Sequence, residues 1–137
     1  MAISFFVMYA VMFLNVDEAS DIYLSPNRLY MSLLMVSPMA ITMITLMKHM
    51  YADRSKNLIV TISAVAVFAL SLVCLRTQAF ISDKQYMRGM IPHHSSAIMT
   101  SNNASLRDRR VQVLADSIGK SQREEIRLMK KLLEETE

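Results

Sequence analysis

The sequence is short of several residues that mark common protein classes. Its 137 residues include one cysteine, two glycines, three prolines and no tryptophan. A single cysteine cannot close an internal disulfide, so cysteine usage does not indicate a redox compartment. That cysteine, Cys74, lies in an apolar run, where a thiol buried in lipid or protein is inert.

Strong charge and catalytic motifs are also missing. The net charge of +3 is too small to favour nucleic acid as a partner. The sequence has no Glu-x-x-His pair, which ferritin-like di-iron oxidases use to bind their metals. It has no nucleophile constellation, phosphate loop or dinucleotide fingerprint. We therefore expect a protein that is not an enzyme.

Charged residues are absent from long stretches of the first part of the chain. Residues 1–82 hold five Lys and Arg and four Asp and Glu, whereas the last 55 residues hold ten and eight. This segregation predicts two domains, a membrane region over residues 1–82 and a soluble region over residues 83–137.

Three apolar segments predict three membrane spans, over about 2–16, 29–47 and 58–75. The second and third have 19 and 18 uncharged residues, and Pro38 predicts a kink in the second. The uncharged, mostly apolar run at 2–14 covers only about 20 Å of a hydrocarbon core of about 30 Å. It lacks the basic start and the small-residue cleavage site of a signal peptide. We therefore favour a short or tilted span, or one that lacks its natural start.

The loop charges predict the orientation in the membrane. The loop at 48–57 is basic and the segment at 17–27 is acidic. Because positive residues stay in the cytoplasm, the basic loop and the N-terminus should be cytoplasmic and the soluble region extracytoplasmic. In a bacterium with an outer membrane, this places the protein in the inner membrane with a periplasmic C-terminal domain.

Methionine recurs along the second apolar segment. Five methionines occur at intervals of four residues: Met31, Met35, Met39, Met43 and Met47. His49 and Met50 follow them. They could relay Cu(I) through the bilayer or pack irregular helix contacts, for which the flexible methionine side chain is well suited. We favour packing, because no ionisable group accompanies the stripe as a transport path often requires.

The segment at 87–94 holds two thioethers and two imidazoles: Met87, Met90, His93 and His94. Soft thioether sulfur together with imidazole nitrogen suits copper, and Cu(I) in particular. On a helix the two methionines and His94 share one face, whereas His93 points about 100° away from His94. Pro92 predicts a bend that would change this geometry. Core packing is the alternative explanation, because methionine at helical spacing is usually buried.

The soluble region predicts a helical hairpin. Ser82 or Asp83 can cap a helix that runs to about residue 102, and Asp108 can cap a second helix with apolar residues at helical spacing. Glu125 is either a solvated residue or a carboxylate that holds a histidine ring. Gly119 in mid-helix indicates close packing. Two helices cannot bury both sides of an apolar stripe, so we expect a second copy to complete a four-helix bundle.

The two helices together resemble domain-of-unknown-function family 305, a ferritin-like helical family with copper-binding members. The matching residues are Met87-x-x-Met90-Ile91-Pro92-His93-His94-x-x-Ala97-Ile98 and Leu114-Ala115-x-x-Ile118-x-x-x-Gln122-x-x-Glu125-Ile126-x-x-Met129. The resemblance covers about residues 83–133, and the three preceding spans resemble a membrane-anchored subgroup.

The resemblance implies a set of metal ligands: Met87, Met90, His93, His94 and Met129. Glu125 and Gln122 would support them from outside the metal's own ligand shell. Thr100 stands where the family often has methionine, and the neighbouring Met99 points elsewhere on an ideal helix.

These observations predict an all-α, membrane-anchored protein that captures or buffers copper, as Cu(I), on the extracytoplasmic side. Its expected partners are the bilayer and further copies of the chain, without nucleic acid. The alternatives are an oligomerising membrane scaffold without metal and a Cu(I) conduit built on the methionine stripe.

Overall fold

The computed structural model describes residues 2–47, 50 and 53–136. Across these residues the chain forms five α-helices and no strand, which confirms the all-α prediction. A single 3-10 turn, Ala19–Asp21, follows the first helix. The α-helices are α1 Ala2–Val11, α2 Pro26–Leu46, α3 Arg54–Thr77, α4 Asp83–Asn103 and α5 Arg109–Glu135.

The prediction of three membrane spans is wrong at the first span. α1 has 10 residues, or about 15 Å, which is half the thickness of a hydrocarbon core. In the part of the chain that the structure describes, only α2 and α3 are long and apolar enough to cross a membrane. The first span was predicted to extend to about residue 16, but the helix ends at Val11.

The chain divides into two compact units. Unit 1 contains Met1–Val11 and Pro26–Phe80, and unit 2 contains Met12–Ser25 and Ile81–Glu137. The segment between α1 and α2 therefore belongs with the C-terminal hairpin, although the sequence predicted it as part of the membrane region.

In unit 1, α2 packs against α3 and α1 packs against α2. Most of the residues that α2 and α3 bury are small: Ser32, Ser37, Ala40, Ala64 and Ser71. Small residues let helix backbones approach closely, as in membrane helix pairs. The large apolar side chains point outward instead, and Leu58 is 61% exposed and Val65 53% exposed.

Unit 2 is built on α4 and α5, which pack against each other. Ser82 and Gln85 form a capping box at the start of α4, and Asp108 accepts a hydrogen bond from the Arg110 amide at the start of α5. Both caps were predicted. The apolar core of the unit contains Met87, Ile91, Ile98, Ile126 and Leu133.

The segment at 12–25 covers one side of this hairpin. The Asp17 amide donates to Ser95 Oγ at 2.8 Å, and Lys130 Nζ lies 2.6 Å from Oδ1 of Asp21. Asp21 is 3% exposed, so an ion pair with one buried member fixes the segment to α5.

Candidate metal centre

The methionines and histidines of α4 do not share one face. Met87 is buried in the core of unit 2, one turn before Ile91. Met90 and His94 are one turn apart and line an open cleft of about 230 Å³. His93 is exposed, because neighbouring helical residues point about 100° apart. The centres of the two imidazole rings are 6.0 Å apart.

α5 contributes the opposite wall of the cleft. Glu125, Leu128 and Met129 line it, together with Tyr86 from α4. The α4–α5 pairing therefore brings the thioethers of Met90 and Met129 to the same opening as the His94 ring. These are three of the five ligands that the family resemblance implies; Met87 is in the core and His93 is in solvent.

A chain of hydrogen bonds holds the His94 ring. His94 Nε2 lies 2.6 Å from Glu125 Oε2, and Ser121 Oγ donates to Glu125 Oε1 at 2.9 Å. An ionised carboxylate only accepts hydrogen bonds, so Nε2 must carry the hydrogen of this pair. In a neutral ring Nδ1 then bears a lone pair. His94 is 7% exposed, and its Nδ1 is enclosed without a hydrogen-bond partner.

The same contacts favour the ionised form of Glu125. The hydrogen bond from Ser121, followed by the one from His94, lowers the pKa of Glu125 below its ordinary value. Ionised Glu125 fixes both the tautomer and the orientation of the ring. This is the arrangement in which a carboxylate supports a metal-binding histidine.

Gln122, the other predicted supporting residue, has a different environment. It is half-buried, and its Oε1 is enclosed without a hydrogen-bond partner. Thr100 is exposed and donates to the backbone carbonyl of Ser96 at 2.9 Å. Neither residue lines the cleft.

Sequence reasoning missed three residues of this site. Tyr86 and Leu128 line the cleft, and Ser121 holds Glu125. Ser121 could have been found, because it precedes Glu125 by one helical turn and side chains at that spacing are neighbours. Tyr86 and Leu128 depend on how α4 packs against α5, which no local pattern specifies.

Among the residues that the structure describes, no three His, Cys, Asp or Glu side chains come together as a group that could hold a metal ion. In the α2 stripe, Met31, Met35 and Met39 are 41–50% exposed, on the surface of unit 1. His49 lies outside the described residues.

Comparison with known proteins connects the hairpin to a family. The family model with the description Domain of unknown function (DUF305) matches residues 72–137, which include α4 and α5. The chain is also 42% identical over 121 residues to an uncharacterized protein of Acanthamoeba polyphaga mimivirus. That match covers 87% of this chain and 78% of the viral protein, so it extends well before residue 72. No solved structure matches the chain.

Proposed function

This chain belongs to the family described as Domain of unknown function (DUF305), and from the cleft on its helical hairpin we propose that it is a membrane-anchored protein that captures or buffers copper. The family membership confirms the resemblance for residues 72–137. The ion is Cu(I), and it binds on the extracytoplasmic side. No catalytic step forms part of the proposal.

The observation that carries the proposal is the state of the His94 ring. Glu125 occupies Nε2 at 2.6 Å, while Nδ1 is buried and has no hydrogen-bond partner. A buried polar atom without a partner costs free energy, about 1–3 kcal/mol in protein mutational data. A bound metal ion would satisfy this nitrogen, and a ligating histidine almost always gives its other N–H to an acceptor such as a carboxylate.

The neighbouring donors select the metal. Met90 and Met129 bring two thioethers to the cleft that the His94 ring lines. Thioether and imidazole together suit Cu(I), whereas carboxylate and carbonyl oxygens suit magnesium and calcium. We therefore propose Met90, His94 and Met129 as the ligands, with Glu125 holding the ring.

Membrane anchoring rests on α2 and α3. Both are long and apolar enough to span, and their large apolar side chains point outward from unit 1. Apolar surface of this kind marks contact with lipid or protein.

The orientation rests on topology and charge. A hairpin of two spans returns the chain to the side of the membrane from which it started. The segment before α2 and the hairpin after α3 therefore emerge on one side, which agrees with their joining in unit 2. Lys48 follows α2, and Arg54 and Lys56 lie in the first turn of α3, so the positive-inside rule predicts that this end of the two helices is cytoplasmic and that unit 2 is outside.

The test is titration of the purified full chain in detergent with Cu(I), under anaerobic conditions, against a chromophoric chelator. We expect His94→Ala to abolish competitive binding and Met90→Leu or Met129→Leu to weaken it. Glu125→Gln should reduce affinity by roughly 10- to 100-fold, the usual effect of removing a partner of a ligating histidine. Met99→Leu is the matched control, because Met99 lies on the same helix and does not line the cleft.

His93→Ala distinguishes this geometry from the ligand set that the resemblance implies. If both histidines bind the ion, His93→Ala and His94→Ala should lose the same Cu(I) affinity. The geometry of the cleft predicts a loss of affinity for His94→Ala alone. Wild-type affinity in His94→Ala, with circular dichroism showing an intact helical fold, would overturn the proposed site.

A metal-free oligomerising scaffold is the second candidate. The observation that favours it is the set of exposed apolar residues on α5, such as Leu114 at 59% and Leu128 at 57% exposure. A scaffold of this kind would have the same thermal stability with Cu(I), with chelator and with neither. A ligand that binds the folded state raises the midpoint of unfolding, so a shift with Cu(I) that disappears in His94→Ala would support the copper proposal.

A further inference from the structure

α5 carries two adjacent heptad stripes. Both advance by alternate steps of three and four residues, the spacing that keeps one face of a helix toward a partner helix. The first stripe is buried or half-buried and contains Gln112, Ala115, Gly119, Gln122, Ile126, Met129 and Leu133. The second stripe, shifted by one residue, is exposed and contains Val111, Leu114, Ile118, Ser121, Glu125, Leu128 and Leu132.

Five of the seven residues in the exposed stripe are apolar. Their exposed fractions run from 39% at Ile118 to 59% at Leu114. The segment at 12–25 bonds to Ser95, Ser96 and Lys130, and its Tyr23 packs against the buried core of the unit; none of these residues belongs to the exposed stripe. In the described residues of unit 2, the exposed stripe is therefore an apolar helix face that the chain does not cover.

We propose that this stripe is a docking surface for a second copy of the chain, whose α5 packs against it in the antiparallel direction. The order of residues along the stripe is self-complementary. When the two helices cross near residue 123, Leu114 faces Leu132 of the second copy, Ile118 faces its Leu128, and Ser121 faces its Glu125. Apolar residues meet apolar residues on both sides of the crossing point, and the two polar residues meet at its centre. Val111, at the far end of the stripe, faces Glu135 of the second copy, where both side chains are at the exposed ends of the helices.

Other alignments of the same stripe lose this match. A parallel pair in register places Glu125 against its own copy, so two carboxylates repel each other. The second antiparallel alignment, which crosses near residue 120, places Leu114 against Glu125 and Ile118 against Ser121. Each mispairing buries a polar side chain against an apolar one without a partner, which is unfavourable. A two-fold interface is also the commonest form of homo-oligomer.

The docked copy would also cover the candidate metal centre. Glu125 and Leu128 belong both to the exposed stripe and to the lining of the cleft. A helix packed along the stripe therefore lies over the open side of the cleft formed by Met90, His94 and Met129. This consequence rests on the proposed function, and it predicts that a pair of chains shields two ions from water and from competing ligands.

Cysteine cross-linking of the full chain in detergent tests the alignment. In a Cys74→Ser background, one preparation carries Ile118→Cys and a second, with a tag of different size, carries Leu128→Cys. The two are mixed and oxidised with diamide in the presence of a copper chelator. We expect a cross-linked heterodimer from the mixture and little from either preparation alone, because residue 118 faces residue 128 and neither faces itself. A matched pair outside the stripe, Asp116→Cys with Arg127→Cys, should not cross-link.

A parallel pair, or the absence of docking, would give different cross-linked products. Cross-linked homodimers from each single preparation would mean a parallel pair, and absence of all cross-links would mean that no docking occurs on this face; either result overturns the proposal. A second measurement is the mass of the detergent complex by light scattering, where Leu114→Glu should convert a dimer into a monomer. An unchanged dimer mass in that variant also counts against the interface.

The interface and the copper site fail independently. Because the cross-linking is done with chelator, a heterodimer formed by a protein that does not bind Cu(I) supports the interface and rejects the copper site. Cu(I) binding by a chain that gives no cross-link supports the copper site and rejects the interface. If both are correct, Leu114→Glu should release Cu(I) to chelator faster than wild type, although Leu114 does not line the cleft.

Discussion

The residue that best defines the site is Glu125, whose two oxygens have different partners. Oε2 meets the buried His94 ring, and Oε1 accepts from Ser121. Sequence reasoning offered two interpretations of this residue, a solvated carboxylate and a carboxylate that holds a histidine. The structure shows features of both, since the Glu125 side chain is 49% exposed and contacts the ring at 2.6 Å. Exposure gives it access to water, while the ring contact gives it a defined orientation.

The Ser121 hydroxyl is expected to control the ionisation of Glu125. The lowered pKa of Glu125 has the hydrogen bond from Ser121 as its first cause and the one from His94 as its second. Ser121→Ala should therefore raise the pKa of Glu125 toward its ordinary value, about 4.3. Carbon NMR of the labelled carboxyl group would measure the shift. Ser117→Ala, at an exposed serine of the same helix, is the control and should leave the pKa unchanged.

The lowered pKa of Glu125 also determines how the stability of the fold depends on pH. A carboxyl group with a lowered folded-state pKa stabilises the fold above its unfolded pKa of about 4.3. That contribution is lost as the pH falls through the lowered folded-state pKa. Ser121→Ala should thus weaken the acid dependence of unfolding in this window. An equally steep dependence in the variant would contradict the role given to Ser121.

At the scale of the helix, the boundaries follow from local chemistry. Pro26 begins α2, where the proline ring is tolerated because its missing N–H would be unpaired in the first turn. Ser82 and Asp108 cap α4 and α5 at the predicted positions. The predicted end of the first span, near residue 16, was wrong because α1 ends at Val11. Apolar composition extends to residue 14, but composition alone does not specify where a helix gives way to the segment that packs on the hairpin.

Gly119 provides a test of packing between α4 and α5. It is buried, and a Cβ placed there would lie 3.9 Å from Ser101 Cβ and 3.3 Å from Nη2 of Arg123. The first distance is ordinary contact, and the second involves the movable end of a long side chain. Gly119→Ala should therefore stabilise the protein by about 0.5–1 kcal/mol, because glycine is unfavourable within a helix.

Chemical unfolding of the full chain in detergent, followed by circular dichroism, would measure this gain. Gly119→Leu is the contrasting variant, since its larger side chain must displace α4 and should destabilise the protein. Equal destabilisation by alanine and leucine would mean that α4 and α5 are closer than their contact at Ser101 indicates.

At the scale of the whole molecule, the contact between Asp21 and Lys130 joins parts of the chain that are far apart in sequence. Asp21 is 3% exposed and lies 2.6 Å from Lys130 Nζ. Lys130 also donates to Ser20 Oγ at 3.2 Å. Removal of one member of a buried ion pair leaves an uncompensated charge, which costs about 3–5 kcal/mol.

Lys130→Met should therefore destabilise unit 2 by roughly 3 kcal/mol, the lower part of that range, because the Lys130 side chain is 29% exposed. The Asp21→Asn, Lys130→Met double variant should lose less than Lys130→Met alone, because no buried charge remains. Thermal unfolding and limited proteolysis of the segment at 12–25 would measure both. Equal losses in the single and double variants would show that the two side chains do not interact.

The sequence by itself determined the all-α class, the two long apolar helices, the capped hairpin and the family, because these depend on periodicity, capping residues and local motifs. It also supplied the candidate donors. Only the tertiary structure decided which donors meet. Met87 and Met90 differ by three residues, yet the packing of α4 against α5 takes Met87 into the core and leaves Met90 in the cleft with Met129. Contacts between residues distant in the chain, such as His94 with Glu125 and Asp21 with Lys130, depend on how helices pack, and local sequence patterns do not specify that packing.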